Sequence, residues 1–160
     1  MHVELALPLI AAATLLAETE GWSDRDGCTT SPTVTAQAPR EPDADLAGGE
    51  WFINSNRTIW AGWLVQDGIT PWTAGGRLKT YWVRPRGAQL VISGRRLDGP
   101  AEPIDPWIPC CYRSGFQIVG LRFPTPGCWE VHAKAGAEEL RFVTHVKAVS
   151  LSEELPGRGR

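Results

Sequence analysis

A chain of 160 residues and 17.5 kDa has room for one domain with short extensions, and at that size roughly two-thirds of the unfolded surface can be buried. Sixteen basic against 18 acidic side chains leave a formal net charge of −2, which argues against a chain that binds nucleic acid. Seventeen Gly and 13 Pro are too many breakers for a helical bundle, and eight Trp and four Cys beside a single Met are the composition of an exported β-rich domain.

The charge is split along the chain. Residues 1–76 hold 3 basic and 10 acidic side chains, and residues 77–160 hold 13 and 8. Thirteen of the cations are Arg, whose forks suit carboxylate-rich partners and anionic headgroups. The plainer reading is a solvated surface whose two ends partly neutralise each other.

The first element is an uncharged apolar run over residues 5–17. It is too short to span a bilayer and has the length of a signal-peptide core. No Lys or Arg precedes it, and Glu4 stands where positive charge is expected. The segment, residues 1–21, is therefore expected either to be cleaved near Ala17 or Gly21, or to be retained as a short apolar helix. In that helix Leu9 and Leu16 would touch membrane or partner. No lipoprotein box is present, because Cys28 follows Asp26-Gly27 rather than the apolar run.

Residues 22–49 read as an extended acidic linker: Ser31-Pro32-Thr33 and Ala38-Pro39-Arg40-Glu41-Pro42 show no apolar periodicity. Over residues 50–149 the pattern turns to short β-type runs separated by Gly and Pro. The predicted strands are Trp51–Asn54, Thr58–Val65, Leu78–Arg84, Gln89–Arg96, Gly115–Phe123, Cys128–Ala135 and Leu140–Val149, with a tail over residues 150–160. About seven strands and no helix among them predict an all-β, immunoglobulin-like antiparallel β-sandwich. The last hairpin is the clearest. Trp129, Val131 and Ala133 alternate with polar residues, as do Leu140, Phe142 and Val146 after the Gly136 turn, so each strand has one buried and one wet face. Phe123-Pro124-Thr125-Pro126-Gly127 before it reads as a corner between two sheets.

Three stretches carry a family likeness: Ser93-Gly94-Arg95-Arg96-Leu97-Asp98-Gly99-Pro100-Ala101, Phe123-Pro124-Thr125-Pro126-Gly127-Cys128-Trp129-Glu130-Val131, and Leu140-Arg141-Phe142-Val143-Thr144. With Ser114–Gln117 and the Cys28-Thr29-Thr30 linker, the chain resembles small exported bacterial proteins, several of them lipoproteins, that share an immunoglobulin-like domain. The resemblance implies an extracytoplasmic β-sandwich and no catalytic residue.

Four cysteines in an exported chain favour disulfides, and four allow three connectivities. The resemblance implies Cys28–Cys128, tying the linker to a core strand. Cys110 and Cys111 would then form a vicinal bridge or remain thiols; the competing pairing joins each of them to one of the other two. A vicinal bridge could serve as a redox switch, but a loop staple is the preferred reading.

Metal ligands are scarce. His132 and His145 share the wet side of the last hairpin, where a four-residue turn sets His145 opposite Glu130 and a two-residue turn sets it opposite Cys128. Two surface histidines are preferred to a weak two-ligand site. Asp24-Arg25-Asp26-Gly27 lacks the remaining acids of a calcium loop, and Asn56-Arg57-Thr58 is a weak glycosylation sequon. With no nucleophile elbow, phosphate loop, dinucleotide fingerprint or Cys-x-x-Cys motif, neither an enzyme nor a cofactor or metal is expected.

Trp51, Trp60, Trp63, Trp82 and Trp129 fall in the strands, whereas Trp72 and Trp107 lie in Pro-flanked loops and are either partner anchors or lids over the sandwich ends. The expected function is a non-catalytic accessory subunit on the extracytoplasmic side of a bacterial membrane, stabilising a larger respiratory or photosynthetic complex. Its protein partner is met through Trp72 and Trp107, and the membrane surface through the N-terminal segment. The alternatives are a free-standing envelope module for a small ligand or glycan and, third, a redox sensor at Cys110-Cys111.

Overall fold

A computed structural model describes residues 23–25 (backbone only), 27–40, 49–63, 72–110 and 112–148. The apolar N-terminal segment with Leu9 and Leu16, and the tail over 150–160, lie outside the described residues. Within them the chain forms eleven strands and no helix: β1 Ser23–Arg25, β2 Cys28–Thr30, β3 Val34–Ala36, β4 Gly49–Ile53, β5 Trp60–Trp63, β6 Arg77–Val83, β7 Leu90–Arg96, β8 Asp105–Trp107, β9 Phe116–Arg122, β10 Gly127–Ala135 and β11 Glu138–Val146. All seven predicted strands are present, as β4–β7 and β9–β11. The other four are three-residue strands. Three of them, β1–β3, lie in the stretch read as linker, and β8 lies in the loop around Trp107.

The strands make a hairpin, β1-β2, and two antiparallel sheets in the orders β3-β4-β5-β6-β9-β8 and β11-β10-β7. The corner at residues 123–127 carries the chain from β9 in the larger sheet to β10 in the smaller. Alternation explains the packing between the sheets. Phe52, Ala61, Trp82, Val119 and Leu121 from one sheet meet Leu90, Ile92, Trp129, Val131, Ala133, Leu140 and Phe142 from the other in a single buried cluster. Phe52 and Phe142 stack across it with centroids 4.0 Å apart. Two of the buried indoles have their N–H bonded: Trp82 donates to Thr80 Oγ1 (2.9 Å) and Trp129 to the Thr125 carbonyl (3.0 Å). Each such fully buried large side chain stabilises by about 1.5–3 kcal/mol.

A second, smaller cluster lies on the other face of the larger sheet, where Trp51, Trp60 and Val83 are covered by Ala36 and Ala38 of residues 27–40, the arm that precedes the sandwich. Gly62 admits the Trp51 ring here; a Cβ at that position would meet the ring at 2.5 Å.

The hairpin β10-β11 settles its turn. Cys128 faces His145 and Ala135 faces Glu138, so the connection has two residues, with Gly136 at φ +64° in the first central position. That is the glycine requirement of a type II′ turn.

Candidate functional site

The disulfide sits where the arm crosses the smaller sheet. Cys128 and His145 share one rung, on the side of β10 away from Trp129, and β2 brings Cys28 to that side. The bond joins Cys28 to Cys128 with Cα atoms 5.4 Å apart, and Cys28 is 1% exposed. This is the pairing the family resemblance implies, and it rules out a bridge from Cys28 to the Cys110-Cys111 pair. Ser31 then clips the outer edge of β11: its N–H donates to the Val143 carbonyl (2.9 Å) and its Oγ accepts from the Val143 N–H (2.8 Å). The arm thereby covers an edge that would otherwise be open to pairing. Cys110 is also disulfide-bonded, and so is not a free thiol; Cys111 lies outside the described residues.

The two loop tryptophans part company. Trp72 is 7% exposed, with its ring centroid 5.3 Å from Trp63 and 5.5 Å from Phe123. Its carbonyl accepts from the Lys147 N–H at 2.7 Å, which ties it to the end of β11. Of the two expectations for Trp72, partner anchor or lid, this burial is that of a lid: the indole closes one end of the core. Trp107 is 58% exposed, on the edge strand β8.

The surroundings of Trp107 are built by strand register. Trp107 faces Gly120, and Asp105 faces Arg122, which faces Arg77 on β6. Asp105 Oδ2 accepts from Arg77 Nη2 (2.9 Å) and Arg122 Nε (3.2 Å). The Arg122 hydrogen bond, and then the Arg77 charge, hold the Asp105 carboxyl below the usual carboxylate range. Gly120 has no side chain, and the Arg77 stem lies over it; a Cβ there would meet Arg77 Cδ at 2.8 Å and Trp107 Cβ at 3.6 Å. An exposed indole thus stands beside a carboxylate flanked by two guanidinium groups. No local motif announces this frame, because its three charged residues come from three strands.

A second polar frame lies beneath the 106–112 loop. Arg84 is buried, donating from Nε to Gln117 Oε1 (3.0 Å) and from Nη2 to the Tyr112 carbonyl (3.0 Å). Gln117 Nε2 in turn donates to the Pro109 carbonyl (2.7 Å). These bonds fix the loop against β6 and β9.

The two histidines are not brought together. His132 stands opposite Arg141, four rungs from the Cys128–His145 pair, which is about 13 Å along the strand. Its Nε2 lies 3.0 Å from Glu139 Oε2. Of Asp24-Arg25-Asp26-Gly27, Asp24 and Arg25 lie on β1, paired with Thr29 and Cys28, and Gly27 has φ +75°, while Asp26 lies outside the described residues. Asn56 of the sequon donates its amide to Glu138, as do Asn54 Nδ2 and Thr58 Oγ1. No protein-family model, curated protein or solved structure matches the chain.

Proposed function

We propose that this chain is a non-catalytic, extracytoplasmic binding module with an immunoglobulin-like core, serving as an accessory subunit of a larger membrane complex. The support for the core lies in connectivity. Strands β5 to β11 run in the orders β5-β6-β9-β8 and β11-β10-β7. Lettered A to G, they follow the same order as the A-B-E-D and G-F-C sheets of a constant-type immunoglobulin domain, which supports that reading. Two strands, β3 and β4, extend the first sheet beyond A. The bridge departs from the antibody pattern: it joins F to the arm before A rather than to B. The Cys28–Cys128 disulfide favours an oxidising compartment.

The observation that carries the binding role is Trp107, a large apolar side chain left 58% exposed on a short edge strand beside the Arg77–Asp105–Arg122 frame. Trp and Arg are the residues that anchor protein interfaces, the indole supplying area and the guanidinium groups directional hydrogen bonds. The test is native-gel separation of detergent-solubilised host membranes, carrying the wild-type chain or Trp107→Ala. Wild type is expected to comigrate with a large complex and Trp107→Ala to run free. A wild-type chain recovered only at domain size would overturn the accessory-subunit reading.

A further inference from the structure

Trp107 stands at one corner of a wider open face, and the side chains around it bear on what covers it. In a strand, residues that alternate with the core side point to the opposite face. Leu78 and Trp82 of β6 and Val119 and Leu121 of β9 pack into the core. Arg77, Lys79, Tyr81 and Val83 therefore turn outward, as do Phe116, Ile118, Gly120 and Arg122. Register sorts them into rows: Arg77–Arg122–Asp105, then Lys79–Gly120–Trp107, then Tyr81–Ile118 and Val83–Phe116. The arm covers the far side of this face, over Trp51, Trp60 and Val83, and leaves Trp107 exposed. What stays open is a charged row, the indole beside it, and the half-buried Tyr81 and Ile118.

The charge here is one-sided. The charged residues of β5, β6, β8 and β9 are Arg77, Lys79, Asp105 and Arg122, three cations to one carboxylate, gathered in two adjacent rows. Arg77 and Arg122 share the single Asp105 carboxylate, and their side chains are 42% and 44% exposed. Each spends one nitrogen on it, Nη2 of Arg77 and Nε of Arg122, and keeps further N–H donors. Lys79 is exposed and enters no ion pair among the described residues.

We propose that the partner surface docking on Trp107 is acidic: carboxylates of another subunit of the complex meet Arg77, Lys79 and Arg122, while an apolar recess takes the indole. This inference rests on the accessory-subunit reading and adds the chemistry of the partner to it. Discrete carboxylates suit guanidinium forks that Asp105 holds in fixed directions. A continuous layer of lipid phosphates suits them less, because it would press like charge onto Asp105 as well.

The experiment uses the full oxidised chain in detergent-solubilised host membranes and a water-soluble carbodiimide. The reagent condenses a Lys amine with a carboxylate to an amide and takes up the released water as its urea. Cross-linked peptides are identified by mass spectrometry after native-gel separation. The Lys134–Glu139 pair, 2.8 Å apart, reports that the reagent has acted. Lys79 is expected to be joined to an Asp or Glu of another subunit. Lys79→Glu should melt as wild type does but comigrate with the complex at least about fivefold less, whereas Lys79→Arg should comigrate as wild type. Raising salt from about 50 mM to about 500 mM should release the wild-type chain by a similar factor. A wild-type chain that never comigrates would end the accessory-subunit reading and this inference with it. Where the wild type does comigrate, the acidic partner alone is overturned by any of the following results: Lys79→Glu comigrating equally well, Lys79 left unlinked while Lys134 and Glu139 are joined, or Lys79 linked only to a second copy of this chain. Binding of the purified chain to phosphatidylglycerol vesicles that Lys79→Glu abolishes would overturn it too, in favour of a lipid surface.

Discussion

Removing the arm's covalent tie is the perturbation with the largest expected effect. Cys28 and Cys128 are 100 residues apart in sequence, so the bridge closes most of the described chain into one loop. On the chain-entropy account a loop of that length is worth about 4.7 kcal/mol, set against a total of about 5–15 kcal/mol for a domain of this size. The native side of the balance is less affected, because β3 still pairs with β4 and Ser31 still bonds to Val143. Cys28→Ser/Cys128→Ser is therefore expected to fold but to melt roughly 15–20 °C lower, at about 4 °C per kcal/mol. Thermal melts followed by tryptophan fluorescence measure this. The double variant is preferable to reduction, which would also open the bridge at Cys110. Amide exchange at Val143 adds a local readout: its protection should fall more than that of Val131, which is paired on both sides within the smaller sheet. A double variant within about 1 kcal/mol of wild type, with Val143 still protected, would refute the reasoning. The arm would then be held by its non-covalent contacts alone.

Three other substitutions test separate parts of the account. Gly127→Ala should destabilise by about 2–4 kcal/mol in urea titrations, since Gly127 has φ +139° and a Cβ would lie 2.5 Å from Arg96 Nε and 2.8 Å from the Asp98 carboxylate. Trp72→Ala should cost about 3–5 kcal/mol and Trp107→Ala less than about 1 kcal/mol in the same assay; equal costs would contradict their different burial. Hydrogen bonds from Thr58, Asn56 and Asn54 lower the Glu138 pKa, and Arg96 does the same for Asp98. A carboxyl depressed in the folded state contributes stability that is present above its unfolded pKa and lost as pH falls through the folded one. The urea midpoint should therefore drop below about pH 4.5, and Glu138→Gln should flatten that drop; a midpoint level down to pH 3 would count against it.

The parts of the fold legible in the sequence are those where one strand carries its own pattern. β10 and β11 are each nine residues long with clean alternation, and the hairpin needed only its turn length, which Gly136 decides. The short strands carry no such pattern. β8 is Asp105-Pro106-Trp107, and a proline reads as a break; it is tolerated because β8 is an edge strand. β2 and β3 are three residues each between prolines and polar residues. They become strands through what receives them: the Cys128 sulfur and the β11 edge for one, β4 for the other. Their conformation is a property of the docking site more than of their own residues.

The same distinction explains what could be foreseen of the sites. Trp72 and Trp107 have nearly the same local sequence character, apolar indoles flanked by proline, so nothing within a few residues of either tells a lid from an exposed anchor. The difference lies in register. Trp107 is carried by β8 to the outer side of the last strand pair, where Gly120 offers no side chain to cover it. Trp72 meets the end of β11 across a bridge between Thr73 and Lys147 that joins residues far apart in the chain. A cleft of about 530 Å³ between β7 and β8 belongs to the second kind. Arg84, Leu90 and Ile108 are unremarkable where they stand in sequence, and only the placing of β7 and β8 on the same side of the two sheets makes them neighbours. Sites built by sheet order rather than by motif are therefore the ones that sequence pattern misses here. The arm docks on the β11 side of the smaller sheet, so loosening the Cys28–Cys128 tie should reach the edge at Val143, which Ser31 covers, well before it reaches β7 at the opposite side of that sheet.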